Sequence, residues 1–126
     1  MDLPTVPTLF MKPQTSLGDP WPAPTILPKQ TMEHDDGDYE SELAVIIGKP
    51  CKNVSEADAL DYVLGYSAAN DISSRSAQFA QSQWSYSKGF DGACPLGLFA
   101  LHNPFNQSFA AVLSLILTFH NPQAQQ

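Results

Sequence analysis

Two glutamates separated by one residue, Glu40 and Glu42, are the residues of this sequence best placed to do chemistry. They lie in the run Asp-Tyr-Glu-Ser-Glu-Leu-Ala-Val-Ile-Ile-Gly at 38–48, which is typical of a β-strand that ends at Gly48. Side chains of a strand repeat every two residues, so both carboxylates project from one face. Like charges this close resist ionisation without a cation between them, and hard oxygen ligands suit Mg²⁺, Mn²⁺ or Ca²⁺ better than zinc. The alternative is a solvent-facing strand edge whose acids are simply hydrated.

Further polar residues follow in an ordered set of short motifs. Asp71 ends Gly-Tyr-Ser-Ala-Ala-Asn-Asp at 65–71, a strand-like stretch. Ile-Ser-Ser-Arg-Ser-Ala-Gln at 72–78 comes next, and then Lys-Gly-Phe-Asp-Gly-Ala-Cys-Pro-Leu-Gly at 88–97. Together with the Glu-x-Glu strand and Phe-Met-Lys-Pro at 10–13, this order resembles the fumarylacetoacetate hydrolase (FAH) family. Each motif is weak alone, and their order and spacing make the resemblance specific.

The resemblance implies a site and a chemistry. The metal ligands would be Glu40, Glu42 and Asp71, holding Mg²⁺ (or Mn²⁺ or Ca²⁺). Lys88 would be the catalytic lysine beside the substrate oxygens, and Arg75 and Gln78 would bind the substrate. Family substrates are small diketo acids and 2-oxo acids, whose carbonyl the metal polarises so that an enolate is stabilised during C–C cleavage or decarboxylation. Arg75 could instead only neutralise the acidic cluster, and Gln78 could only cap a short helix.

The resemblance also implies a fold and a function. The fold would be α+β and mostly β, a FAH-type mixed β-sandwich roll with short helices, present here incompletely. The function would be that of a metal-dependent hydrolase or lyase acting by C–C bond hydrolysis or decarboxylation. The alternative is a truncated, catalytically inactive homologue that binds metal or serves as a subunit. Because the family commonly dimerises, we expect a homodimer or association with an intact paralogue.

The N-terminal segment is rich in proline. Residues 1–30 hold seven of the eleven prolines, which predicts extended chain in which Phe10 and Met11 are the residues to be buried. Trp21 lies between Pro20 and Pro22. Its rigid ring could line a pocket, or it could simply pack.

The clearest helix is predicted at residues 55–64. Ser55 is a good N-cap, Asp58 stands three residues on in the capping-box position, and Gly65 supplies the stop. The apolar stripe of this helix would consist of Ala57, Leu60, Val63 and Leu64.

The C-terminal segment departs from the rest in composition. Its 35 residues from Gly92 to Gln126 include no Asp, Glu, Lys or Arg, whereas charged residues make up about a quarter of an ordinary chain. The family resemblance ends here too, since Leu98 stands where the family has proline. We therefore divide the chain into a partial FAH-type catalytic domain at 1–97 and a charge-free divergent tail at 98–126.

Composition excludes several classes of function. A net charge of −7 with six basic residues argues against binding to nucleic acid or to an anionic membrane. The longest apolar run, 109–119, is shorter than the roughly 17–25 residues of a membrane helix. Cys51 and Cys94 fit neither a zinc finger nor a disulfide framework, and free thiols are expected in a reducing compartment. With no basic and apolar leader at the N-terminus, a cytoplasmic protein is expected.

Departures from the family pattern bear on the reaction. Family members that hydrolyse C–C bonds use a His, often with a Glu, upstream of the Lys-Pro motif to activate water. The nine residues before Phe10 contain neither, and His34 is expected in a loop. Ser76 replaces the usual Asp after the motif arginine. Hydrolysis needs a positioned base, whereas decarboxylation or tautomerisation needs mainly an electron sink. We therefore expect metal-dependent decarboxylation or enolisation in preference to efficient C–C hydrolysis.

Overall fold

The computed structural model of this chain describes residues 5–34, 36–98 and 100–101. The strands of this part are β1 (Leu17–Gly18), β2 (Gly37–Asp38), β3 (Ser41–Ile47), β4 (Val63–Asn70), β5 (Ser73–Ser74), β6 (Cys94–Pro95) and β7 (Ala100–Leu101). The helices are α1 (Lys29–Met32), α2 (Arg75–Ala80) and α3 (Ser85–Lys88), with 3₁₀ helices at Gln14–Ser16 and Glu56–Tyr62. The fold is thus α+β with short helices, as predicted, while the rolled β-sandwich stays a prediction. No helix in this part of the chain is long and apolar enough to cross a membrane.

The hairpin of β3 and β4 positions the predicted site. The two strands pair antiparallel, with Ser41 opposite Asn70, and β7 pairs with the other edge of β4. Glu40 immediately precedes β3 and Asp71 immediately follows β4. Antiparallel pairing therefore brings these two acids to the same end of the hairpin. The Asp71 amide donates to the Glu40 carbonyl at 2.9 Å and closes that end.

Two further sheets of two strands each pair segments that are distant in sequence. β2 pairs antiparallel with β5, which places Asp38 opposite Ser73. β1 pairs parallel with β6. Beside that pairing, a Cβ atom on Gly18 would lie 2.9 Å from the carbonyl oxygen of Gly92, and Gly92 itself has a φ of +72°. Glycine is required at both positions, since a side chain would clash at the first and strain the backbone at the second.

The predicted helix at 55–64 is a 3₁₀ helix, Glu56–Tyr62, with the predicted cap. The Ser55 hydroxyl accepts from the Asp58 amide at 3.3 Å and donates to the Asp58 carboxylate at 2.6 Å. The predicted end is wrong, because β4 already begins at Val63, whose β-branched side chain favours a strand. None of the helix residues is buried, so the predicted apolar stripe does not pack within the described part of the chain.

Burial among the described residues favours polar side chains. The buried apolar residues are Tyr66, Ile72 and Ala93, and the buried polar ones are Ser16, Thr31, Ser67, Asp71, Ser73, Ser74, Ser87 and Lys88. Phe10 is partly buried with its ring 5.7 Å from that of Trp84, whereas Met11 is 82% exposed. The prediction that Met11 is buried is wrong because successive side chains of an extended segment point in opposite directions. The buried set includes Asp71, Ser73 and Lys88, which are hydrogen-bonded to one another, so the predicted site is among the protected parts of the described chain.

Apart from Leu98 and β7, the predicted tail at 98–126 lies outside the described residues. The division of the chain at residue 97 stays a prediction.

Candidate metal centre

The three predicted metal ligands lie together at the closed end of the hairpin. Carboxylate oxygens of Glu40, Glu42 and Asp71 can be chosen that all lie within 4.8 Å of one another. Glu42 lies in β3, Glu40 immediately precedes that strand, and Asp71 immediately follows β4. Asp71 is buried, Glu40 partly buried and Glu42 exposed. The cluster is therefore anchored in the protein on one side and open to solvent on the other.

Lys88, the predicted catalytic lysine, is the most deeply buried cation of the cluster. It ends α3, is 1% exposed, and donates from Nζ to Asp71 Oδ2 at 2.9 Å and to Ser73 Oγ at 2.6 Å. The same Nζ lies 2.9 Å from Glu40 Oε1. Its ammonium also lies 5.5 Å from the centre of the Phe10 ring. Lys88 thus bridges two of the three candidate ligands.

A second lysine, Lys12, reaches the same carboxylate from the N-terminal segment. Its Nζ forms an ion pair with Asp71 Oδ1 and donates to the Ala93 carbonyl at 2.8 Å. Sequence reasoning did not assign Lys12 to the site. The available signal was its place in Phe-Met-Lys-Pro, one of the motifs that carry the family resemblance.

Arg75 and Gln78, the predicted substrate-binding residues, lie one helical turn apart in α2. Arg75 donates from Nε to Asp38 Oδ2 at 2.8 Å and from a terminal nitrogen to Gln78 Oε1 at 2.8 Å, and it forms an ion pair with Glu40. Asp38, the last residue of β2, is therefore a partner of Arg75. Gln78 contacts the guanidinium, so its place here is to orient Arg75.

Burial, hydrogen bonds and neighbouring charges together explain the pKa directions of the two glutamates in the cluster. Burial acts to raise the pKa of Glu40, but hydrogen bonds from Lys88 and Arg75 outweigh it and hold the pKa below its ordinary value. Glu42 shows the opposite direction: partial burial, followed by the charges of Asp71 and Glu40, raises the pKa of its carboxyl. Within the described residues the side chain of Glu42 makes no hydrogen bond or ion pair, while its backbone pairs with Ala69 of β4. It is the carboxylate whose charge is left without a direct partner.

The donor set fits a hard divalent cation. Carboxylate oxygens are ligands that Mg²⁺, Mn²⁺ and Ca²⁺ accept, and three of them leave coordination positions for water or a chelating ligand. The Glu40 hydrogen bonds and ion pairs within the described residues use Oε1, which leaves Oε2 available. The unpartnered Glu42 completes the set. A cation here would relieve the like-charge repulsion that raises the pKa of Glu42.

A cleft of about 470 Å³ adjoins the candidate metal centre. Glu42 lines it at the hairpin, and Trp21 lines it from the proline-rich segment. Of the two alternatives for Trp21, the pocket wall is the one that the structure shows, since its side chain is 90% exposed and not packed in a core.

The fold and the cluster together define a class: an α+β protein with a candidate divalent-cation site of three carboxylates, two lysines and an arginine. The family model described as fumarylacetoacetate (FAA) hydrolase, C-terminal, matches residues 1–125. This chain belongs to the fumarylacetoacetate hydrolase family, as the motif order predicts.

Relatives in this family carry several reactions. The caffeoylpyruvate hydrolase of Neonothopanus nambi is 58% identical over 90 residues, which cover 70% of this chain and 31% of that protein. The mitochondrial oxaloacetate tautomerase fahd2 of Xenopus laevis is 41% identical over 97 residues, covering 75% of this chain and 29% of that protein. The chain thus spans about a third of the length of these curated relatives.

A solved structure shares the fold of the described part. The 2-hydroxyhepta-2,4-diene-1,7-dioate isomerase from Mycobacterium marinum superposes with a TM-score of 0.68 and 39% sequence identity. The match covers 78% of this chain and 37% of that one.

Proposed function

We propose that this chain binds a small 2-oxo acid at a divalent cation, Mg²⁺ or alternatively Mn²⁺ or Ca²⁺, and promotes formation of the substrate enolate. The observation that carries the proposal is the set of three carboxylates whose oxygens approach within 4.8 Å, with Lys88 bound to two of them. The ligands would be Glu40, Glu42 and Asp71.

The relatives support this substrate class through the compounds in their names. Caffeoylpyruvate and oxaloacetate are 2-oxo acids, and 2-hydroxyhepta-2,4-diene-1,7-dioate is the enol form of one. Hydrolysis of an acylpyruvate, tautomerisation and isomerisation all develop negative charge on the oxygen at C2. A site that stabilises this charge meets the demand that the three reactions share.

The chain's own residues supply the binding and the charge. A bound cation would act as a Lewis acid on the 2-oxo group. Lys88 holds a buried positive charge 2.9 Å from Glu40 and Asp71, and this charge would stabilise the negative charge that develops at the cluster. Arg75, oriented by Gln78, places a positive charge beside Glu40, where it would attract the substrate carboxylate.

Among the described residues, the site has groups that would stabilise an enolate, and these are clearer than any base that would activate water. His34 is exposed and is not one of the residues of the cluster. We therefore propose that enolisation and decarboxylation proceed faster than C–C hydrolysis.

The test compares three reactions on the full chain with Mg²⁺ or with EDTA. These are enol–keto exchange of oxaloacetate, its decarboxylation, and hydrolysis of acetylpyruvate. We expect Mg²⁺-dependent exchange and decarboxylation, and a loss of roughly 100-fold or more in Asp71→Asn, since removing even an outer-shell partner of a metal costs about 10–100-fold. Asp61→Asn, an exposed acid of the 3₁₀ helix, is the matched control and should leave the rates unchanged.

The other outcomes either support the alternative function or contradict a part of the proposal. Metal binding without turnover would support the alternative, a catalytically inactive homologue that binds metal or serves as a subunit with a second copy or a paralogue. Hydrolysis clearly faster than decarboxylation would contradict the preference for enolisation. Equal rates in wild type and Asp71→Asn would overturn the proposed site.

A further inference from the structure

The cleft beside the metal centre has the size of a ligand site. Its volume is about 470 Å³, within the range of about 300–1,000 Å³ typical of small-molecule pockets. The residues that line it include Asp19, Trp21, Glu42, Ala69, Pro95 and Gly97. Because Glu42 is also a candidate metal ligand, the cleft and the metal centre share a residue.

Trp21 is the tryptophan among the residues that line the cleft. The residue is 90% exposed, and its ring makes no aromatic contact within the described residues. Pro20 and Pro22 on either side restrict the backbone, so little conformational freedom is lost when the ring stacks on a ligand. An exposed tryptophan held in this way suits a flat unsaturated group.

The remaining walls select for shape and charge. Ala69 and Gly97, which also line the cleft, are small and occupy little of its volume. Asp19 contributes a carboxylate, and none of the side chains that line the cleft among the described residues is basic. A tail that ends in a carboxylate is therefore repelled, whereas a neutral tail, or one with a hydroxyl that donates to Asp19, is accommodated.

We infer that this cleft, named the Trp21 cleft, selects substrates by the group remote from the 2-oxo acid. It takes a flat, uncharged aromatic or conjugated tail, with Trp21 as the specificity-determining residue and Asp19 as the residue that disfavours an anionic tail. The inference rests on the proposed function, because the 2-oxo acid must lie at the cation for its tail to reach Trp21.

The test measures affinity by calorimetry on the full chain with Mg²⁺. Benzoylpyruvate and acetylpyruvate share the same metal-binding head and differ only in the tail. We expect wild type to bind benzoylpyruvate roughly tenfold more tightly, a difference of the size that aromatic stacking supplies. Trp21→Ala should abolish this preference and leave acetylpyruvate affinity within about twofold, while Phe79→Ala, another exposed aromatic, should change neither. Equal affinity of wild type for both compounds, or an unchanged preference in Trp21→Ala, would overturn the role of Trp21.

A third compound tests the charge. Fumarylpyruvate carries a carboxylate at the end of its tail, so Asp19→Asn should tighten its binding several-fold and leave benzoylpyruvate unchanged. Asp91→Asn, an exposed acid that is not one of the residues lining the cleft, is the control. No effect of Asp19→Asn would overturn the selection against anionic tails.

The two proposals fail in different ways. If acetylpyruvate does not bind wild type in a Mg²⁺-dependent manner, the proposed function is overturned at the metal centre. If both pyruvates bind with Mg²⁺ and with equal affinity, the metal centre stands and the Trp21 cleft is overturned.

Discussion

The two ends of the β3–β4 hairpin are built by the same strand pairing and stabilised differently. At the site end, Asp71 is 5% exposed and ion-paired to two lysines. At the other end, Ile47 is 56% and Leu64 43% exposed, and the register shifts between Ile46 and Ile47. Charged groups are thus buried where apolar groups usually are, and apolar groups face solvent.

The difference shows which contacts hold the described elements in place. Backbone pairing holds the strands at both ends, and at the site end ion pairs from segments distant in sequence add to it. Lys12, Arg75 and Lys88 reach the hairpin from three separate segments. The candidate metal centre is therefore also the point at which the described elements are joined, and disturbing it should cost more than disturbing the distal end.

The largest expected effect is the removal of the buried cation at the site end. Lys88→Met leaves Glu40 and Asp71 without their shared ammonium, and breaking a buried pair by deleting one partner costs about 3–5 kcal/mol. Lys49→Met, an exposed lysine over the Tyr62 ring at the distal end, should cost under about 1 kcal/mol. Urea unfolding followed by circular dichroism, in EDTA, measures both. Equal losses of unfolding free energy in Lys88→Met and Lys49→Met would contradict the difference in stabilisation between the two ends.

Lowering the pH should reduce the stability contributed by the site end before it affects the distal end. Hydrogen bonds from Arg75 lower the pKa of Asp38, and those from Lys88 and Arg75 outweigh burial to lower that of Glu40. A lowered pKa in the folded state gives stability that is present above the ordinary values, 3.8 and 4.5, and is lost as pH falls below them. Unfolding midpoints of metal-free protein should fall through that window, and Glu40→Gln should flatten the fall. A wild-type midpoint independent of acid would contradict the ion-pair account.

A smaller effect is expected from Arg75→Lys. A lysine keeps the charge but loses the fork that holds Asp38, Glu40 and Gln78 together. Because the Arg75 side chain is 31% exposed, solvent screening limits the loss to about 1 kcal/mol. Urea unfolding checks this value, and a variant as stable as wild type would show that the guanidinium geometry adds nothing to the site end.

The smallest effect belongs to the distal end. Ser55→Ala removes the cap of the 3₁₀ helix, which should cost about 0.5–1 kcal/mol. The Mg²⁺ affinity measured by calorimetry should not change, since the cap makes no contact with the cluster. Ser82→Ala, an exposed serine outside the helices, is the control. A change in Mg²⁺ affinity in Ser55→Ala would show that the two ends are coupled.

The sequence predicted the site end better than the distal end, for a physical reason. Strand periodicity predicts that Glu40 and Glu42 share a face, and the family resemblance adds Asp71 at the end of the next strand-like stretch. The sequence did not predict Lys12 as a site residue, because its contact with Asp71 spans 59 residues and no strand or helix periodicity indicates such a contact. The helix end near Val63 was misplaced because pairing with β3 outweighs local helical preference.

The most direct measurement is the thermal unfolding of wild type and Glu42→Gln with Mg²⁺ or EDTA. Partial burial and the charges of Asp71 and Glu40 raise the pKa of Glu42, so its ionisation opposes folding and the variant should be at least as stable as wild type in EDTA. Mg²⁺ should stabilise wild type by about 2.7 kcal/mol at a hundredfold excess over Kd, and should leave Glu42→Gln nearly unshifted. Glu56→Gln, an exposed acid of the 3₁₀ helix, should keep the full shift. A full Mg²⁺ shift in Glu42→Gln, or none in wild type, would contradict a metal centre at this end of the hairpin.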